Sequence, residues 1–273
     1  MYEFLISVHD LKEMLGDPRL MVVDVRHDLY DPEWGRHIYR RQRIPGAVFL
    51  HMDEDLAGPI SLPAGRHPLP APEKFTTVLR RIGLQPSQQV VIYDDIFGGM
   101  AGRLWWMLQA AGHRAAALLD GGYTAWFQAG YPTEEGEPRP PETSNYPATS
   151  PFDGQVEITP ANHRQYLLVD TRAPERYAGL QEQLDPVAGH IPGAVNHFWK
   201  ENLDQNGLFL PVDQLREQLQ EYRQPVFYCG SGVTSCHNIL AWRYAGLTGE
   251  LLYPGSWSKW CNNYPDHIAT ETS

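Results

Sequence analysis

The sequence predicts an α/β protein made of two duplicated domains, each a parallel sheet flanked by helices. Three observations predict it: three landmarks that occur twice in the same order, short apolar strands that alternate with helical stretches in each half, and a proline-rich stretch between the halves. Each half exceeds 100 residues, so the repeat is a duplicated domain and not a solenoid unit.

The first landmark is an apolar run ending in Asp-x-Arg, at Val22-Val23-Asp24-Val25-Arg26 and again at Leu168-Val169-Asp170-Thr171-Arg172. The second is Ile-Pro-Gly-Ala-Val, at 44–48 and again from Ile191 to Val195. The third is an apolar pair, then Gly and spaced aromatics: Leu118-Leu119 through Tyr123 and Trp126, then Leu251-Leu252 through Trp257 and Trp260. Between the second and third landmarks, Val90–Tyr93 and Pro225–Tyr228 read as buried strands. Each runs into a Gly-containing loop and then a helical stretch, Arg103 to Ala111 and Ser235 to Tyr244. Strand, loop, helix, strand implies crossover units and a parallel sheet, which binds ligands at the carboxyl ends of its strands. The prolines at 132, 138, 140, 141, 147 and 151 forbid a helix or a central strand there. The expected division is a first domain over 1–131, a semi-rigid linker over 132–152 and a second domain over 153–273.

With 22 basic and 33 acidic residues the chain carries a net charge of −11. That charge is unsuited to a phosphate backbone or an anionic lipid surface, so neither nucleic acid nor membrane is an expected partner. No apolar stretch approaches a membrane span, and the start Met1-Tyr2-Glu3-Phe4-Leu5-Ile6 lacks the basic flank of a secretory signal. Three cysteines, at 229, 236 and 261, make no disulfide framework, and a reduced, cytoplasmic setting is expected. No phosphate-binding glycine pattern occurs, and the spacing of Cys229, Cys236, His237 and Cys261 fits no metal pattern, so neither cofactor nor metal is expected.

Chemistry is expected on the loop after Tyr228: Cys229-Gly230-Ser231-Gly232-Val233-Thr234, ahead of a helix. Two glycines let successive N–H groups converge on one point, and the helix N-terminus adds positive partial charge. A cysteine at the base of such a cradle has a depressed pKa and serves as a nucleophile. The bland alternative is an inert, buried cysteine at a strand end. The matching loop of the first half begins with Asp94 where the second has Cys229, so the first half is expected to be a non-catalytic copy. A cysteine phosphatase needs Arg six residues after its nucleophile, and that position is Ser235. Cys236, seven residues after Cys229 and just inside the helix, is expected in the core.

With these motifs in view, the chain resembles the tandem-domain rhodanese-like sulfurtransferases over nearly its whole length. The Cys-Gly-Ser-Gly-Val-Thr loop resembles the 3-mercaptopyruvate sulfurtransferase branch. The resemblance implies two rhodanese-like domains, only the second catalytic, and a Cys229 persulfide that passes a sulfane sulfur from a small-molecule donor to a thiol or cyanide. Thiosulfate is the alternative donor, and a non-catalytic binding protein on the same scaffold is the alternative class. The resemblance further implies that Ser231, His67 and Asp53 form an acid–base triad. His67 would then be a group lent by the first half. Arg176 would hold the donor's anionic group, beside the backbone of Gly230, Gly232, Val233 and Thr234. Arg172 is expected to be structural. The branch has a second arginine where this chain has Asp185, and no arginine lies between Gln181 and Val187. A weakened carboxylate clamp and a raised KM are therefore expected.

Overall fold

The computed structural model describes residues 1–271 and divides them into two compact units. The first comprises Met1–Gly58, Pro70–Asp153 and Asn206–Leu208. Its strands are β1 (Leu5–Ile6), β2 (Leu20–Asp24), β3 (Val48–Phe49), β4 (Gln89–Tyr93) and β5 (Ala116–Leu119). They form one parallel sheet in the order β1-β5-β4-β2-β3. Its helices are α1 (Val8–Met14), α2 (Trp34–Arg41), α3 (Met52–Asp55), α4 (Pro72–Arg81), α5 (Ala101–Ala110) and α6 (Gly122–Gln128). β4 is buried at every position, as a central parallel strand requires.

The second unit comprises Pro59–Leu69, Gly154–Gln205 and the residues from Phe209 on. Its strands β6 (Leu167–Asp170), β7 (Val195–Asn196), β8 (Pro225–Tyr228) and β9 (Leu251–Leu252) are parallel in the order β7-β6-β8-β9. Its helices are α7 (Pro174–Tyr177), α8 (Val212–Leu219), α9 (Ser235–Tyr244) and α10 (Ser256–Asn263). This order repeats that of β3, β2, β4 and β5. The position of β1 is reduced to a single parallel bridge, Gln155 to Leu252. Among the described residues no helix is long and apolar enough to cross a membrane.

The units depart from the expected boundaries in two places. The stretch read as a linker has no helix, but it is packed on the first unit and not free. Arg43 and Glu134 exchange backbone hydrogen bonds of 2.9 Å, and the Arg80 guanidinium donates to Tyr146 O at 2.7 Å. Tyr146 is buried, its hydroxyl 3.0 Å from His113 Nδ1. Pro59–Leu69, assigned by sequence to the first domain, belongs to the second unit. Gly65 sits there at φ +87°, where an added Cβ would lie 3.1 Å from Gly255 O and 3.2 Å from Lys259 N. The left-handed φ and the tight approach to the start of α10 both favour glycine there.

The repeated landmarks meet in space. Arg26 grips Asp24 with an Nη2–Oδ2 distance of 2.6 Å and donates to Gln42 O, two residues before the first Ile-Pro-Gly-Ala. Arg172 repeats the arrangement, 2.6 Å from Asp170 and 2.7 Å from Gly189 O. Arg26 lies over Tyr123 and Arg172 over Trp257, aromatics of the third landmark. Asp-x-Arg thus ties a strand end to the turn before the next strand and to the helix after the last. Removing one partner of such a pair strands a buried charge. Arg172→Ala is expected to lower stability by about 3–5 kcal/mol. Urea unfolding followed by tryptophan fluorescence measures this, and a loss below about 1 kcal/mol would deny the pair its structural role.

Candidate active site

The loop after β8 is held by its backbone. Trp257 N–H donates to Cys229 O at 2.9 Å, and Ser258 N–H donates to Gly230 O at 2.8 Å. Cys229 N–H donates to Ser256 Oγ at 3.1 Å, and that hydroxyl donates to Tyr253 O at 2.9 Å. Ser256 adopts φ +52°, an uncommon value for a residue with a side chain. With these carbonyls engaged by α10, the later N–H groups of the loop are left to turn toward the sulfur. Gly232 N–H reaches Cys229 Sγ at 3.1 Å. Gly232 itself sits at φ +78°, and an added Cβ would strike Pro254 O at 2.4 Å.

Cys229 is 2% exposed. Burial alone would push its thiol up. Hydrogen bonds from the Thr234 hydroxyl and from the N–H groups of Ser235 and Ser231 outweigh burial and hold the thiol below its ordinary value. The Ser235 hydroxyl, buried at the start of α9, adds to this effect. Both remaining cysteines are buried, Cys236 as expected. Cys236 Sγ–H donates to Gly232 O at 3.4 Å, and burial pushes the Cys261 thiol up to about 12.

His67 and Ser231 are brought together inside the second unit, with Nδ1 2.7 Å from Oγ and both residues buried. The expectation that His67 is lent by the first domain is thus corrected, because its segment packs with the second unit. Asp53 lies on α3 of the first unit, where its N–H donates to His51 Nδ1 at 3.2 Å.

Arg176, on α7, donates from Nε and Nη2 to Glu182 at 3.1 and 2.8 Å. Burial pushes the Glu182 carboxyl up. The Leu184 N–H and the Arg176 guanidinium more than offset that and leave it below the usual carboxylate range. Asp185 is buried and receives a second guanidinium, Arg66, from Nε at 3.1 Å and Nη2 at 3.0 Å. Arg66 was not singled out by sequence. Its only signal was adjacency to His67.

In the first unit the corresponding cradle is filled from within. The Asp94 carboxylate accepts from the N–H groups of Ile96, Gly98, Met100 and Ala101 at 2.7–3.1 Å. This loop gathers N–H groups around an anion in one copy and around a sulfur in the other.

A model of the rhodanese-like domain matches residues 7–129 and again 158–263. The chain belongs to the tandem-domain rhodanese-like sulfurtransferases. It is 39% identical to a probable 3-mercaptopyruvate sulfurtransferase of Pseudomonas aeruginosa, over 97% of this chain and 98% of that one. It is 33% identical to the human 3-mercaptopyruvate sulfurtransferase, over 94% and 91%. It is 35% identical to a putative thiosulfate sulfurtransferase of Mycobacterium tuberculosis, over 96% and 95%. Among solved structures it resembles a 3-mercaptopyruvate sulfurtransferase from Leishmania major (TM-score 0.86, 29% identity, 97% of this chain and 76% of that one). A second such structure, from Escherichia coli, gives a TM-score of 0.80 at 28% identity, over 94% and 99%.

In this rhodanese-like loop the donors around Cys229 favour the charged form of sulfur, so the thiolate persists to lower pH than in a free cysteine. Iodoacetamide alkylation of Cys229 is expected to titrate below the ordinary thiol value. Thr234→Val, which removes the leading hydrogen bond, should move the midpoint upward by about one unit. A pH–rate profile read by peptide mass spectrometry checks both, and an unmoved midpoint in Thr234→Val would assign the shift elsewhere.

Proposed function

We propose that the protein transfers a sulfane sulfur from 3-mercaptopyruvate to a thiol or cyanide through a Cys229 persulfide. The observation that carries the reading is the buried Cys229 sulfur, ringed by hydrogen-bond donors on the same loop as Ser231, which pairs with His67. In the first step the Cys229 thiolate attacks the donor sulfur. An S–S bond forms, the donor C–S bond breaks, and its electron pair stays on carbon as the enolate of pyruvate. The proton of the donor thiol passes through Ser231 and His67 to that carbon, so thiolate and mercaptopyruvate become persulfide anion and pyruvate. Gly230, Gly232, Val233 and Thr234 supply the cradle that bears the persulfide charge, and Arg176 takes the donor's carboxylate. In the second step an acceptor nucleophile attacks the outer sulfur and releases the Cys229 thiolate. Asp53 enters this reading, as third member of the relay, from the family resemblance alone.

Thiosulfate is the alternative donor. Its leaving group, sulfite, departs as a stable anion and needs no proton. The Ser231–His67 hydrogen bond therefore favours mercaptopyruvate, whose leaving enolate does need one. A non-catalytic binding protein would have no use for a cysteine poised as the thiolate.

Cys229→Ser is expected to abolish transfer from every donor, while Cys236→Ser and Cys261→Ser largely keep it. Intact mass should show one added sulfur on the wild type after donor treatment and none on Cys229→Ser. Substantial turnover by Cys229→Ser would overturn the mechanism, and a wild type that never gains sulfur would favour the binding-protein reading.

The kcat/KM for 3-mercaptopyruvate is expected to exceed that for thiosulfate. His67→Ala should cut the mercaptopyruvate reaction by about 10²–10⁴-fold and the thiosulfate reaction far less. Side-by-side kinetics decide it, since equal losses with both donors would remove His67 from the proton path.

A further inference from the structure

We infer that Arg66, held by Asp185, joins Arg176 in a two-guanidinium clamp for the carboxylate of the sulfur donor. The inference rests on the reading of Cys229 as the sulfur carrier. It replaces the expectation that Asp185 leaves the clamp one arginine short.

The two arginines are built alike. Each spends Nε and Nη2 on a buried carboxylate, Arg66 on Asp185 and Arg176 on Glu182. The carboxylates are 1% and 3% exposed, whereas the guanidinium side chains are 23% and 24% exposed. Each fork is thus locked along one edge by an anchor out of solvent, while its Nη1 has no hydrogen-bond partner among the described residues. A weaker contact of 3.5 Å from Arg176 Nη2 to Asp185 links the two pairs.

The two guanidiniums meet at one place, Arg66 with its anchored Nη2 and Arg176 with its Nη1. A Cβ built on Gly230 would lie 2.9 Å from Arg66 Nη2 and 3.4 Å from Arg176 Nη1. Gly230 is the residue next to Cys229, so both guanidiniums crowd the backbone at the nucleophile. Its missing side chain is what leaves them room. Arg66 is fixed at its backbone as well, where its N–H donates to Ser258 Oγ at 3.2 Å. The same Ser258 holds the loop through its N–H on Gly230 O.

Planar forks with fixed edges suit the two oxygens of a carboxylate, one arginine to each side. Asp185 is then a positioning residue. It contributes no contact to the donor but sets the angle at which Arg66 meets it.

The test uses the whole chain. Arg66→Ala is expected to raise KM for 3-mercaptopyruvate about 10–100-fold with kcat changed less than about threefold, since a charge-assisted contact made to donor and transition state alike is lost. Arg66→Lys, which keeps the charge without the fork, should fall between. Asp185→Asn should raise KM about 3–10-fold. Pyruvate supplies a readout that needs no turnover. It should protect Cys229 of the wild type from iodoacetamide, with the half-protecting concentration raised about tenfold or more in Arg66→Ala. Circular dichroism confirms that each variant is folded, and Arg66→Lys serves if Arg66→Ala is not. Unchanged KM and unchanged pyruvate protection in a folded Arg66 variant would overturn the clamp. A wild type that forms no persulfide, yet loses pyruvate protection in Arg66→Ala, would instead overturn the sulfur-transfer reading and leave the clamp standing.

Discussion

The site depends on where the carbonyls of Cys229 and Gly230 point. A loop can gather N–H groups around an anion only if its C=O groups are satisfied elsewhere, because an unpaired buried carbonyl costs as much as a lost hydrogen bond. The first turn of α10 accepts that duty: Trp257 takes Cys229 O and Ser258 takes Gly230 O. Ser256, in its strained left-handed conformation, caps the Cys229 N–H and is braced on Tyr253 O. Strain of this kind persists only where surroundings enforce it, and here the flanking bonds on both sides of Ser256 do so. The Gly-Ser-Trp-Ser stretch of the third landmark is therefore part of the active loop's scaffold, although it lies more than twenty residues downstream.

The first unit shows what the same architecture does without a thiol. Asp94 occupies the strand end after β4 and receives four backbone N–H groups from its own loop. A covalently supplied carboxylate keeps that cradle filled. In the second unit the position holds sulfur, smaller in charge demand and chemically exchangeable. Duplication thus separates two uses of one fold: an internally neutralised loop that stabilises, and an open one that reacts. The strand order around both loops is the same, and both lie at the carboxyl end of a central parallel strand.

Much of this was legible in the sequence, for identifiable reasons. Strand β8 and helix α9 fall where the apolar run and the helical stretch were read, at Pro225–Tyr228 and Ser235–Tyr244. Central parallel strands are buried on both faces and so read as unbroken apolar runs. The Cys229 loop was legible because glycine spacing and a following helix are local signals. Long-range placements were not legible. Nothing local says that Pro59–Leu69 joins the second unit, because that follows from Gly65 meeting the backbone of α10. The anchors were hidden for the same reason. Asp185 looked like a missing arginine because its partner, Arg66, is 119 residues away. Arg176 looked either functional or paired with Glu182, and the structure shows the pairing while leaving one edge of the fork open. The proline-rich stretch was read from composition as a tether, and composition carries no record of the Arg43 and Arg80 contacts that fasten it.

Charge balance explains how a chain of net charge −11 can receive an anionic donor. Around the second unit's site, Arg66, Arg172 and Arg176 face Asp170, Glu182 and Asp185, three charges of each sign. The signs are segregated by depth. The carboxylates are buried behind the guanidiniums, and Arg66 and Arg176 hold the outer layer. An approaching carboxylate meets cationic N–H groups first, and the buried anions act mainly by fixing where those groups point. The sulfur's own negative charge is met separately, by the loop N–H groups and the Thr234 hydroxyl. Dipoles at the sulfur and full charges at the donor's far end let two negative groups approach each other, and the mutual repulsion is borne by different parts of the site.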